Sequence, residues 1–145
     1  MSDSDAGIGA ATTFRVRYPE IDRMGVAHHA TYFIWFEMGR TELMRRLGCD
    51  YKSVEDRHGL AFPVINTGAR FLASARYDDW LEIRTRLCSA KGARVRFEYE
   101  LYRRDEGSPL ATWFTEHAVV DKGGRPVRMP RELMAQLKEI GRAHV

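Results

Sequence analysis

The sequence predicts an α+β fold: an antiparallel sheet of about five strands wrapped around one long central helix. Three features predict it. A strand-like segment near the start runs into a long and very apolar helical stretch. Four later segments alternate apolar and polar residues with the period of a strand. Glycine-containing turn signals separate those segments at hairpin spacing.

Taken in order, residues 1–12 are small and polar and read as a flexible tail ahead of a single domain over 13–145. From Phe14 the chain alternates, with Phe14, Val16 and Tyr18 on one face and Arg15 and Arg17 on the other. This is the first strand, and Pro19 ends it or sits at its edge. Residues 30–47 read as a helix of roughly 18 residues, about 27 Å at 1.5 Å per residue. Its first half holds Tyr32, Phe33, Ile34, Trp35 and Phe36, apolar nearly all round, which predicts burial on several sides. Its second half turns amphipathic, with Leu43, Met44 and Leu47 inward and Glu42, Arg45 and Arg46 outward. Glu42 and Arg46 form a favourable i,i+4 pair. Gly39 costs the helix about 1 kcal/mol against alanine, which close contact with the sheet would offset. Gly48 supplies the stop.

Residues 51–59 read as a short helix or loop. Strands follow at 63–71, 80–90, 94–104 and 110–121. Leu81, Ile83, Thr85 and Leu87 share one face of their strand, as do Val95, Phe97, Tyr99 and Leu101 of the next. Lys91-Gly92 and Asp105-Glu106-Gly107-Ser108 supply the hairpin turns, and Lys122-Gly123-Gly124 a further one. Residues 130–140 read as a short terminal helix opened by Pro130. A single sheet layer leaves edges and an open face, so a second copy of the chain is expected to cover them.

Composition narrows the function classes. The chain has 145 residues, 44% hydrophobic and 30% charged, which fits one soluble globular domain. The basic excess is mild, 23 Lys and Arg against 20 Asp and Glu, and spread along the chain. It forces no nucleic-acid footprint, though a site for a few phosphates is easy to build. Cys49 and Cys88 form neither a CxxC motif nor a disulfide framework and read as reduced thiols, so the expected location is cytoplasmic. No apolar run approaches the ~20 residues of a membrane-spanning helix.

The chemistry concentrates in residues 17–48. Asp22 closes a strand-like segment, a short turn with Gly25 follows, and then the long helix begins. A carboxylate held ahead of a helix N-terminus faces backbone amides that stabilise negative charge. An acid-base group and an oxyanion site are the two parts needed to hydrolyse an ester or thioester. Asp22 lies some seven residues before the apolar helix, too far for a simple N-cap. His28 and His29 are adjacent and point in different directions, a poor metal pair, and no ligands stand at zinc spacing, so no metal ion and no cofactor is expected.

This block resembles the signature of hotdog-fold acyl-CoA thioesterases of the 4-hydroxybenzoyl-CoA thioesterase-like group, in particular the YbgC/FadM type. The matching elements are Tyr18, Glu20, Asp22, Met24-Gly25-Val26, His29, Tyr32, Glu37 and Arg40. Weaker likeness extends through 75–87 and 115–130. Ala27 stands where many relatives have a second valine, a change expected to affect packing alone. The resemblance implies that Asp22 is the catalytic carboxylate, acting as nucleophile or as general base. It implies that the backbone N–H of His29 is the oxyanion donor, and that Gly25 and Val26 let the acyl group approach the main chain. Tyr32 would line the acyl pocket or bond to the acid. Glu37 is a rival carboxylate, yet its i,i+3 spacing to Arg40 favours an ion pair. Lys91, Arg94, Arg125, Arg128 and Arg131 cluster near turns, and Lys91 and Arg128 in particular are candidates for holding the CoA phosphates. The implied assembly is a homodimer or homotetramer with the acyl pocket between subunits.

Three other functions compete. A non-catalytic module binding acyl-CoA or an acyl carrier protein would share the fold without needing Asp22. A nucleic-acid binder would present its aromatics as a stacking platform, whereas here they sit at core positions. A hotdog hydratase or dehydratase would carry a different Asp/His motif.

Overall fold

The structure is a computed structural model and describes residues 8–135. Five strands, β1 (Ile8–Arg15), β2 (Val64–Phe71), β3 (Trp80–Lys91), β4 (Arg94–Arg103) and β5 (Pro109–Ala118), form one antiparallel sheet in the order β1-β3-β4-β5-β2. Helix α1 (His29–Arg46) lies across its inner face, and α2 (Tyr51–His58) follows it. This is the expected architecture.

The alternation read from sequence decides which face is which. Leu81, Ile83, Val95, Phe97, Tyr99 and Leu101 are all buried against α1. On α1 the buried positions are Thr31, Tyr32, Trp35, Phe36, Gly39, Arg40, Leu43 and Met44, the stripe a 3.6-residue period produces. The remainder is less buried than its composition predicts. Ile34 is 62% exposed and Met38 38% exposed, so one apolar flank of α1 is open in the single chain. The stop is a Schellman motif: Cys49 N–H reaches Met44 C=O at 2.9 Å and Gly48 N–H reaches Arg45 C=O at 3.0 Å, with Gly48 at φ 75°.

Two boundaries differ from the sequence reading. β1 starts at Ile8, inside the stretch read as a tail, because main-chain pairing to β3 holds Gly9, Ala10 and Ala11 whatever their side chains. At its other end the strand stops at Arg15, and Tyr18–Glu20 forms a 3₁₀ turn around Pro19. That turn breaks the alternation, leaving Val16 buried and Tyr18 72% exposed. Residues 131–135 are helical, and the rest of the expected terminal helix lies outside the described residues.

The core also carries a polar chain with a fixed direction. His117, 1% exposed, donates from Nδ1 to the Phe62 carbonyl at 2.8 Å, since a carbonyl can only accept. Its Nε2 therefore accepts from the Thr115 hydroxyl at 2.8 Å. Thr115 in turn accepts from the Tyr99 hydroxyl at 2.7 Å, and Tyr99 from Arg40 Nη1 at 2.8 Å. Burial opposes the Arg40 charge, but the oxygens of Tyr99 and Tyr51 outweigh it and hold its pKa above the ordinary value. Burial pushes the His117 pKa below the ordinary histidine value.

The sign of the pH effect follows. The unfolded chain takes up this proton near pH ~6.5, whereas folded His117 stays neutral to a lower pH. Its contribution to stability is complete above that pH and declines below it until the lowered folded value is reached. Urea midpoints are expected to fall between pH 7.5 and 5.5, and to fall less in His117→Asn. Equal slopes in the two proteins would show that His117 does not carry the effect.

Candidate active site

The chain between β1 and α1 folds as a miniature hairpin around Asp22. Ile21 and Ala27 bridge, Asp22 N–H bonds Val26 C=O at 2.8 Å, and Gly25 N–H returns to Asp22 C=O at 3.0 Å. Gly25 closes the turn at φ 83°, a conformation that strains any other residue. Within this loop Asp22 Oδ1 accepts the Met24 and Val26 amides, at 2.8 and 3.3 Å. Its Oδ2 has no hydrogen-bond partner among the described residues. One oxygen of the carboxylate builds the loop and the other remains available.

Neighbouring groups fix the loop to the helix. The Glu20 carboxylate takes the Arg17 amide at 2.7 Å, the Arg17 guanidinium at 3.1 Å and the Trp35 indole N–H at 3.2 Å, while its carbonyl takes His28 N–H at 3.1 Å. The segment after β2 closes over the other side. Ala27 N–H bonds Ala75 C=O at 2.8 Å, and Ala75 N–H donates to the Tyr32 hydroxyl at 2.9 Å. Tyr32 thus anchors the wall through its hydroxyl and does not bond to the acid.

These contacts enclose a cavity of about 360 Å³. Asp22, Val26, His28, His29 and Tyr32 line one side and Phe71, Leu72, Ala73 and Ser74 the other. The start of α1 opens into it. His28 is the N-cap without a side-chain cap bond, and the amides of His29 and Ala30 meet no acceptor among the described residues. Unclaimed amides at the head of an 18-residue helix attract developing negative charge. The His29 imidazole lies flat on Phe71 with ring centroids 4.8 Å apart, so its side chain packs while its main chain is free to donate. A second cleft of about 350 Å³, lined by Tyr18, Ile21, Asp22, Arg23 and His28, borders the same carboxylate.

The other candidate residues divide sharply. Gly25, Val26, His29 and Tyr32 come together with Asp22. Glu37 does not: it is exposed on α1 with Arg40 Nη2 at 4.0 Å, the ion pair expected from spacing. Lys91 and Arg128 lie at the far end of the sheet. Lys91 ends β3, whose 12 residues span about 40 Å, and Arg128 is held beside that hairpin by Met129 N–H on Gly92 C=O. The Asp22 loop instead touches the segment just before β3, where Val26 bridges Arg76. Within one chain these basic residues are not brought to the cavity. A larger trough of about 1020 Å³ crosses the outer sheet face. Along it Arg84 pairs with Glu82, and Arg86 and Arg96 both pair with Glu98.

Phe71, Leu72 and the 73–75 segment were not among the site residues expected from sequence. Their signal was faint: an aromatic at the end of a strand is ordinary, and contact with residues about 40 positions earlier leaves no local mark.

Known proteins resemble this chain over most of its length. The model of the Thioesterase-like superfamily matches residues 16–137. The acyl-CoA thioesterase YbgC of Haemophilus influenzae is 34% identical over 133 residues, spanning 91% of this chain and 96% of that protein. Among solved structures, a hypothetical protein from Thermus thermophilus superposes with a TM-score of 0.81 at 37% identity, covering 90% of this chain and 98% of the other. A DHNA-CoA thioesterase from Staphylococcus aureus superposes with a TM-score of 0.80 at 25% identity, over 95% and 96% of the two chains.

Proposed function

The chain belongs to the thioesterase-like superfamily, and from that membership we propose that it hydrolyses an acyl-CoA thioester to a free carboxylic acid and CoA. One observation carries the reading: Asp22, whose Oδ2 has no partner among the described residues, and His29, whose amide meets no acceptor among them, line one cavity. The thioester carbonyl sits with its oxygen toward the His29 amide. Such a donor contributes roughly 2.7–4 kcal/mol to the transition state. Asp22 then acts by one of two routes. As general base it takes a proton from water while the hydroxide adds to the carbonyl carbon, and the C–S bond breaks with the thiolate leaving. As nucleophile its oxygen adds to that carbon and expels the thiolate, and water cleaves the resulting anhydride. A single turnover in ¹⁸O-labelled water separates them, since only the nucleophilic route can leave label in Asp22. Gly25 and Val26 let the acyl group reach the main chain, and Tyr32 walls the pocket.

The working form is a homodimer joined along β2. That strand is a free sheet edge, and Val64, Ile65, Phe71 and Leu72 on or beside it are 41–53% exposed. A two-fold axis pairs β2 with its copy antiparallel and so reverses strand direction. The far hairpin of the second copy then lies at the same end of the joined sheet as Asp22. Lys91 and Arg128 from that copy are thereby placed to hold the CoA phosphates.

The test is release of free thiol from a panel of short, long and aromatic acyl-CoA esters, repeated with matching N-acetylcysteamine esters, which lack phosphates. Lys91→Ala is expected to raise KM for the CoA esters about tenfold, the scale of one charge-assisted contact, and to spare the simple esters. Equal effects on both would remove Lys91 from phosphate binding. Failure of every ester to release thiol would remove the proposed activity.

A further inference from the structure

Phe71 stands where the cavity beside Asp22 ends. Its ring stacks on His29 at 4.8 Å, meets Tyr32 edge-on at 5.1 Å and lies edge-on to Phe33 at 6.1 Å. Phe71 lines the cavity and Phe33 does not, so the wall meets Phe33 at the Phe71 ring. Behind Phe33, at 5.4 Å, is Trp113, whose buried indole N–H has no partner among the described residues. An aromatic file thus leads from the helix start toward the core, and Phe71 blocks its mouth. Phe71 ends an edge strand and is 41% exposed in the single chain, so its ring lies outside the central core, beside the proposed β2 seam.

We infer that Phe71 sets the acyl length this site accepts, confining it to short chains. The inference rests on the thioesterase reading above. Shortening the side chain joins the cavity to the Phe33 surface and gives a longer acyl group somewhere apolar to lie. Each methylene admitted or refused by an apolar pocket changes specificity about 10–200-fold.

The experiment measures kcat/KM for thiol release over the saturated series from acetyl-CoA to dodecanoyl-CoA. Phe71→Ala and Phe71→Leu are expected to raise kcat/KM on chains just beyond the wild-type limit at least ~10-fold relative to acetyl-CoA, so the readout is the shape of the chain-length profile. Phe71→Trp is expected to shorten the limit. Should the alanine variant fail to fold, the leucine and tryptophan variants decide. An unchanged chain-length profile in the folded variants overturns the gate while leaving the thioesterase reading intact. No thiol release by the wild type overturns both.

Discussion

Replacing Asp22 by asparagine is expected to cut kcat by at least ~10³-fold while leaving the fold intact, the scale on which loss of a central catalytic group acts. Asparagine keeps an oxygen that can accept the Met24 and Val26 amides, so the hairpin that carries the residue has no reason to change. What it loses is Oδ2, the oxygen without a partner among the described residues, which becomes an amide nitrogen unable to take a proton or attack a carbonyl. Alanine would be a poorer probe, because it also removes the loop bonds and confuses chemistry with geometry. The measurement is single-substrate turnover beside a thermal melt. A folded Asp22→Asn protein retaining near-normal kcat would show that the carboxylate only shapes the loop. A loss confined to KM would assign it to binding.

How much of this was legible in the sequence depends on how far apart in the chain the cooperating residues lie. Asp22, Gly25 and His29 fall within eight consecutive residues, so their local geometry could be read directly. The hairpins announced themselves through Lys91-Gly92 and Asp105–Ser108, and α1 through Gly48. The opposite wall of the site comes from the end of β2, and the bond joining it to α1 links Tyr32 to Ala75 across 43 positions. No local pattern encodes that. The start of β1 was hidden for another reason: Gly9, Ala10 and Ala11 have no alternation to read, and their place is set by the β3 backbone. The polar chain through the core did leave a signal. Thr115 and His117 occupy inward positions of β5, and a polar residue in an inward register must find a buried partner.

The glycine in the middle of α1 offers the second large effect, on stability. By helix propensity alone, Gly39→Ala should stabilise by about 1 kcal/mol. The contact with β3 reverses the sign. A Cβ at this position would lie 2.5 Å from Thr85 Oγ1 and 2.8 Å from Ile83 Cγ2. Both neighbours are β-branched and fully buried, so neither can swing aside easily. Overpacking of this kind costs typically 1–3 kcal/mol, enough to cancel or exceed the propensity gain. Gly39→Leu is expected to cost about 3 kcal/mol or more, since it drives three further carbons into the same gap. At ~2–4 °C per kcal/mol for a chain near this size, the leucine variant should melt roughly 6–12 °C lower. The cause can be isolated with Thr85→Ala. Thr85 Oγ1 is buried without a hydrogen-bond partner among the described residues, so removing it costs little beyond lost packing. In Gly39→Ala/Thr85→Ala the nearest clash is gone and the helix keeps its better former. The two changes are therefore expected to couple favourably by at least ~0.5 kcal/mol, where independent sites would simply add. Strict additivity would mean that the glycine is kept for some reason other than the approach of helix to sheet.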